Sequence, residues 1–166
     1  ACSEVPPAPT CRIAKSFNAD YTGPAACLIR VQNALLVIRY NDSGQYDLPH
    51  GDPISNESAQ CTAHRQTWEQ TGLNVEVDKL LGVTKTGTML FACNMSGGFT
   101  SEDGPIAPPS WVDSDIQRIE FIDPFDTRYD AWRQADNLVM YRDGFISTND
   151  SRIRPIPAQS QQNSPQ

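Results

Sequence analysis

GDPISNESAQCTAHRQTWEQTGL, residues 51–73, is the stretch on which the reading of this chain turns. Its second part is patterned as a helix from about Glu57 to Thr71, with Ser55 or Asn56 available as a cap and Gly72 as its stop. Ser and Asn side chains accept hydrogen bonds from the orphan N–H groups of a first turn, and glycine takes the left-handed conformation that closes a last one. Small residues at Ala59 and Ala63 allow one side of this helix to lie close on a sheet. At ~100° per residue, positions 66, 69 and 70 fall within about 100° of one another. Gln66, Glu69 and Gln70 therefore face one spot, with a single carboxylate among them. His64 and Trp68 lie four apart, away from that cluster, and read as packing residues.

Five residues separate Gly51 from Glu57, and seven separate Glu57 from Arg65. The run then continues Gln66, Thr67, Trp68, Glu69, Gln70, Thr71, Gly72, Leu73. This spacing resembles the Nudix box, G-x5-E-x7-R-E-U-x-E-E-x-G-U, where U is aliphatic. YDLPHG (46–51) resembles the L-P-G-G approach to that box. The resemblance implies an α/β/α sandwich with a mixed β-sheet between helices, an α+β mixed class, over roughly 25–146. It implies a hydrolase in which water attacks the diphosphate bond of a nucleoside diphosphate linked to another group, with Mg²⁺ or Mn²⁺. It also gives Arg65 a structural role, pairing with Glu57.

The chemistry explains the spacing. Three carboxylates on one helical face would supply the anionic oxygens that Mg²⁺ requires, and the metal would neutralise pyrophosphate charge and acidify an attacking water. This chain departs from that pattern. Gln70 keeps an oxygen but loses the charge, and Gln66 is neither a base nor an anionic ligand. Thr67 stands where the family has an aliphatic residue, and His50 where it has a glycine whose carbonyl binds metal. Either that carbonyl or the imidazole of His50 is the expected ligand. A further acid from a later segment is expected at Asp115 or Glu120, with Asp115 preferred. The resemblance thus implies catalytic positions at Gln66, Glu69 and Gln70, and metal positions at His50, Glu69, Gln70 and Asp115. Arg39 on a strand is a candidate for phosphate, as is Arg30, each balanced against a surface role. Trp111 is a candidate for stacking on a nucleobase, against simple packing. With two glutamates replaced, slow turnover is expected. The alternative is an inactive nucleotide-binding or sensing module on the same fold.

Outward from the box, AACLIRVQ (25–32) and ALLVIRY (34–40) are β-type runs with a turn near Gln32-Asn33. LNVEVDKLLGVTKT, GTMLFACNM and DIQRIEFID read as three more strands, and TRYDAWRQADNLVMYRDGF as a helix with Trp132, Ala135, Leu138, Val139 and Arg142 near one stripe. Residues 96–110 form a Gly/Pro loop of a length that is often functional. The order of strands and helices suggests a mixed sheet between helices. The expected organisation is an N-terminal arm at 1–24, a Nudix-like domain at 25–148, and a low-complexity tail or linker to a downstream domain at 149–166.

With 166 residues the chain suits one domain. A net charge of −7 excludes general nucleic-acid binding, which needs clustered Lys and Arg, but not a small phosphorylated substrate. No apolar run approaches the ~18–20 residues of a membrane helix. Five cysteines and the opening ACSEVPPAPTC favour an exported protein, periplasmic, lipoprotein or extracellular, over a cytoplasmic one. Cys2 suits a lipidation site, unless Ala1 is an artificial addition at the terminus. Cys27, Cys61 and Cys93 sit in core-like runs, either as buried small hydrophobes or with one disulfide among them.

Overall fold

AACL is apolar without interruption, and it forms strand β1 (Ala25–Leu28), buried at every position. Such a run suits a strand covered on both faces. Ala25 and Cys27 point into one core with Ala59, Ala63, Val77 and Phe91. Ala26 and Leu28 point into a second, with Leu48, Trp132, Leu138, Tyr141 and Phe145. The computed structural model describes residues 5–14, 20–95 and 104–148. The lipidation reading of Cys2, residues 96–103 of the long loop, and the tail at 149–166 lie outside the described residues.

The elements follow in the order β1, β2 (Arg30–Val31), β3 (Ala34–Tyr40), β4 (Tyr46–Asp47), β5 (His50–Gly51), α1 (Ala59–Thr71), β6 (Glu76–Val83), β7 (Met89–Asn94), β8 (Ile116–Ile122) and α2 (Leu138–Ser147). One sheet has the order β5-β1-β7-β6, mixed because β1 runs parallel to β7. In the other, β3 pairs antiparallel with β2, β4 and β8. Helix α1 packs on one face of the mixed sheet, and α2 on the other. The α/β/α sandwich with a mixed sheet is therefore the observed architecture.

Three expectations shift in detail. The 25–32 run divides into β1 and β2, and Gln32 turns the hairpin with φ 54°. The cap of α1 is Ser58, whose hydroxyl accepts from the Cys61 N–H; Asn56 instead sits in a turn at φ 62°. The C-terminal helix is shorter than its pattern, because residues 129–131 and 135–137 form separate 3₁₀ turns ahead of α2. Its buried stripe is Leu138, Tyr141 and Phe145, while Val139 is exposed and Arg142 donates to the Pro124 carbonyl.

Two disulfides tie the structure. Cys27–Cys93 joins β1 to β7 inside the core, and Cys11–Cys61 joins the N-terminal arm to α1. The first fits the reading of a bridge among the core cysteines; the second pairs Cys61 with a residue of the arm. Among the described residues no helix is long and apolar enough to cross a membrane.

Candidate active site

Glu57 and Arg65 form the frame of the site. Arg65 donates from Nε to Glu57 Oε2 at 2.8 Å and from Nη2 to Oε1 at 3.0 Å. This forked geometry is the strongest arrangement of a guanidinium and a carboxylate. Thr62 adds a hydroxyl donor at 2.7 Å, and Arg65 also holds the Asp52 carbonyl at 2.8 Å. Burial alone would raise the Glu57 carboxyl, but the hydrogen bonds from Arg65 and Thr62 outweigh it and hold the group below the usual carboxylate range. The pair pins the 51–57 loop to α1 at Arg65, the residue directly before Gln66.

Gln66 lies directly against Gly51. A Cβ at position 51 would come within 2.4–2.7 Å of three Gln66 side-chain atoms, so this close approach requires glycine. Gln70 reaches the next residue of the same strand. Its Oε1 accepts from the His50 N–H at 2.9 Å, and its Nε2 donates to the His50 carbonyl at 2.9 Å. A single amide thus pairs both backbone groups of His50 on the side of β5 away from β1. Glu69 is about half exposed and receives Arg65 Nη1 at 3.2 Å.

Side chains alternate along a strand, and Gly51 faces α1, so the imidazole of His50 faces away from it. His50 Nδ1 is 2.8 Å from the Leu48 carbonyl. A carbonyl only accepts, so Nδ1 carries the proton of that bond. Asp47 Oδ2 lies 3.7 Å from the same nitrogen. Asp47 is almost fully buried, and that burial raises its carboxyl, against the lowering influence of His50. Neighbouring Tyr40 is pushed up to about 12 by burial and by the charge of Asp47.

A cavity of about 370 Å³ opens over this face of α1, lined by Gln66, Trp68, Glu69, Gln70, Trp111 and Asp113. Its outer side is made by Val5, Pro6 and Ala8 of the arm. Trp68 and Trp111 stack on each other with ring centroids 4.9 Å apart. His64 is buried and pairs with Asn74 at 2.8 Å, as a packing residue would.

The structure brings Gln66, Glu69, Gln70 and Trp111 together in one cavity. It places Arg39 elsewhere, with Nε on the Gly44 carbonyl at 3.1 Å and Nη1 3.5 Å from Glu120. Glu120 also faces Arg118, at 3.5 Å. Arg30 serves the end of α2, donating to the Phe145 and Thr148 carbonyls at 3.0 Å. Asp115 is exposed, and its carbonyl accepts from the Asn41 N–H at 2.9 Å. The cavity takes Asp113 instead, because the turn from Pro109 to Ile116 presents that residue to it. As lining of this cavity, sequence reasoning did not include Asp113 or the arm, for which Cys11 was the available signal, and it set Trp68 away from the cluster, whereas Trp68 lines the cavity beside it.

The divalent cation implied by the resemblance does not fit the residues in this arrangement. The His50 carbonyl is engaged by the Gln70 amide, the oxygen of Gln70 is engaged by the His50 N–H, and Glu69 is drawn to Arg65. Among the described residues, no three His, Cys, Asp or Glu side chains group as a metal site.

No family model matches the chain. It is 35% identical over 96 residues to a MutT-like protein of Streptomyces ambofaciens, a match covering 55% of this chain and 62% of that protein. The chain therefore spans less than two thirds of the length of this relative. A NUDIX hydrolase from Nitrosomonas europaea superposes with TM-score 0.59 and 16% identity, over 76% of this chain and 89% of that one. An ADP-ribose pyrophosphatase from Streptococcus suis gives TM-score 0.58 and 18% identity, over 76% and 92%. The fold is that of the Nudix hydrolases. Its sequence resembles the same family, through the box at 51–73 and through the MutT-like relative.

Proposed function

We propose that this protein is a Nudix-type hydrolase of the diphosphate bond in nucleoside diphosphates linked to another group, with turnover held low by Gln66 and Gln70. The observation that carries this reading is the convergence of Gln66, Glu69 and Gln70 on one cavity beside an intact Glu57–Arg65 pair. The cavity volume falls within the ~300–1,000 Å³ of small-molecule sites. Its Trp68–Trp111 pair offers an apolar surface to the ligand's uncharged end, and the two amides offer donors to oxygen atoms. The resemblance implies Mg²⁺ or Mn²⁺. Glu69 is the one carboxylate left of the three, so affinity for either ion without a phosphate ligand is weak.

A second reading is a binding or sensing module that has lost turnover. The Gln70–His50 pairing favours it, because a neutral amide fills the place of a cation–carbonyl contact. Two disulfides support an exported protein acting on an envelope or extracellular phosphate compound.

The deciding experiment assays a panel of nucleotide sugars, dinucleoside polyphosphates and other nucleoside diphosphate derivatives, with isothermal titration alongside. The wild type should turn over slowly or not at all. Gln66→Glu with Gln70→Glu should raise Mg²⁺-dependent hydrolysis by at least ~10²-fold on some member of the panel, with non-additive single effects. A double variant that binds metal and ligand yet stays inert would remove the enzyme reading in favour of the binding module.

A further inference from the structure

We infer that the N-terminal arm is a structural wall of the ligand cavity, and that the Cys11–Cys61 disulfide holds it there. This rests on the proposed function for the ligand's chemistry, a nucleoside diphosphate, but not for the arm's placement. Three observations support it. The arm is anchored to the body at its far end: Ile13 bridges Val77, Ala14 N–H donates to the Val77 carbonyl at 2.8 Å, and Val77 N–H donates to the Arg12 carbonyl at 2.9 Å. Arg12 adds a bond to the Asn74 carbonyl at 3.0 Å.

The disulfide then fastens residue 11 to α1, on the helix that carries Gln66, Glu69 and Gln70. Beyond that tether, Val5, Pro6 and Ala8 line the same cavity as those three side chains. Ala8, Pro9 and Cys11 share a second cavity of about 210 Å³ with Glu57, Arg65 and Trp68. The arm thus borders α1 at two adjoining cavities, one holding the Glu57–Arg65 frame and the other Gln66, Glu69 and Gln70.

The composition suits a wall. Pro6, Pro7 and Pro9 fix their own φ angles, so the segment gives up little conformational freedom when it lies against the helix. The surface it adds is apolar and faces a floor of two amides and two carboxylates, Gln66, Gln70, Glu69 and Asp113. A ligand with one hydrogen-bonding end and one uncharged end matches that division, with the uncharged group held between the arm and the tryptophan pair. Losing the tether leaves the 12–14 pairing with β6 and frees residues 5–10 to leave the cavity.

Two readouts test this separately. Trp132 is buried at 1% exposure, so acrylamide quenching of tryptophan fluorescence reports mainly Trp68 and Trp111. Cys11→Ser/Cys61→Ser should raise the quenching constant at least twofold with the fold retained. Val5→Asp/Ala8→Asp, which keeps the disulfide, should weaken binding of ADP, used as the probe, at least tenfold. If the disulfide variant is unfolded, limited removal of the tether by Cys11→Ala alone takes its place in the quenching experiment. Unchanged quenching on loss of the tether overturns the wall. Unchanged ADP affinity in the Asp variant likewise overturns it. If the wild type binds neither ADP nor any member of the panel, the nucleotide reading fails, and the quenching experiment alone decides the arm.

Discussion

The Gln70 side chain makes two hydrogen bonds, of which glutamate can duplicate only the one it accepts from the His50 N–H. Its Nε2 donates to the His50 carbonyl, and a carboxylate at that point would set oxygen against oxygen. Gln70→Glu should therefore lower the melting temperature without divalent cation, by roughly the few degrees that a lost hydrogen bond of about 1 kcal/mol gives in a domain of this size. Added Mn²⁺ should restore it, while leaving the wild type unmoved. A wild-type melting temperature that rises with Mn²⁺ would show that the amide pairing yields to metal. Asp47 makes the second case. Its folded pKa is raised by burial, so between the unfolded value and the folded one the native state holds more protons. Stability from this group therefore falls as pH rises through that interval. Asp47→Asn should raise the melting temperature near neutral pH, and the gain should vanish below about pH 4, near the unfolded carboxylate value. A gain that persists unchanged into acid would assign the effect to something other than the carboxylate.

Helix α1 ends at Gly72 with φ 77°, and the Gly72 N–H donates to the Trp68 carbonyl at 2.8 Å. A Cβ there would sit 2.7 Å from Pro109, part of the segment that delivers Trp111 to the cavity. Gly72→Ala thus strains the backbone and displaces that segment, and should cost about 1–3 kcal/mol in chemical unfolding. Ser58→Ala removes only a cap and should cost about 1 kcal/mol. A smaller loss for Gly72→Ala than for Ser58→Ala would mean that the 104–112 segment moves freely. The elements of the box were legible in sequence because glycine, arginine and glutamate spacings are local. The cap was not, since choosing among Ser55, Asn56 and Ser58 depends on how Arg65 and Thr62 pull Glu57. The last helix was over-read because a 3.6-residue stripe looks the same when two 3₁₀ turns supply its first part. Neither Arg39 nor Asp115 lines the cavity, although the Asp115 N–H donates to the Asp113 carboxylate at 3.0 Å; nothing local in a sequence says which residue of a turn faces a given helix. The family resemblance supplied the fold and the Glu57–Arg65 pair, while the arm depends on a contact between residues 11 and 61 that no pattern announces.

At the scale of the whole molecule, the two disulfides divide the labour. Cys27–Cys93 lies in the core, and Cys11–Cys61 secures the arm. Closing a loop of such length is worth about 2–4 kcal/mol in the usual range, so Cys27→Ala/Cys93→Ala should be the more destabilising pair, because it also opens space in a packed interior. Intact mass of protein alkylated without reduction should show four cysteines protected; four or more reactive thiols in material from the native host would count against an oxidising compartment. The parallel pairing of β1 with β7 carries one more consequence. Its partners are some sixty residues apart in the chain, and β1 is also paired on its other edge by β5 and covered on both faces. The Cys27 N–H bonds the Pro49 carbonyl beside the edge strand β5, while Ala26 and Leu28 alternate to the β7 side, inside the sheet. In deuterated solvent, the N–H groups of Ala26 and Leu28 should be among the last to exchange, at a rate that tracks the unfolding of the entire domain, and that of Cys27 should exchange sooner.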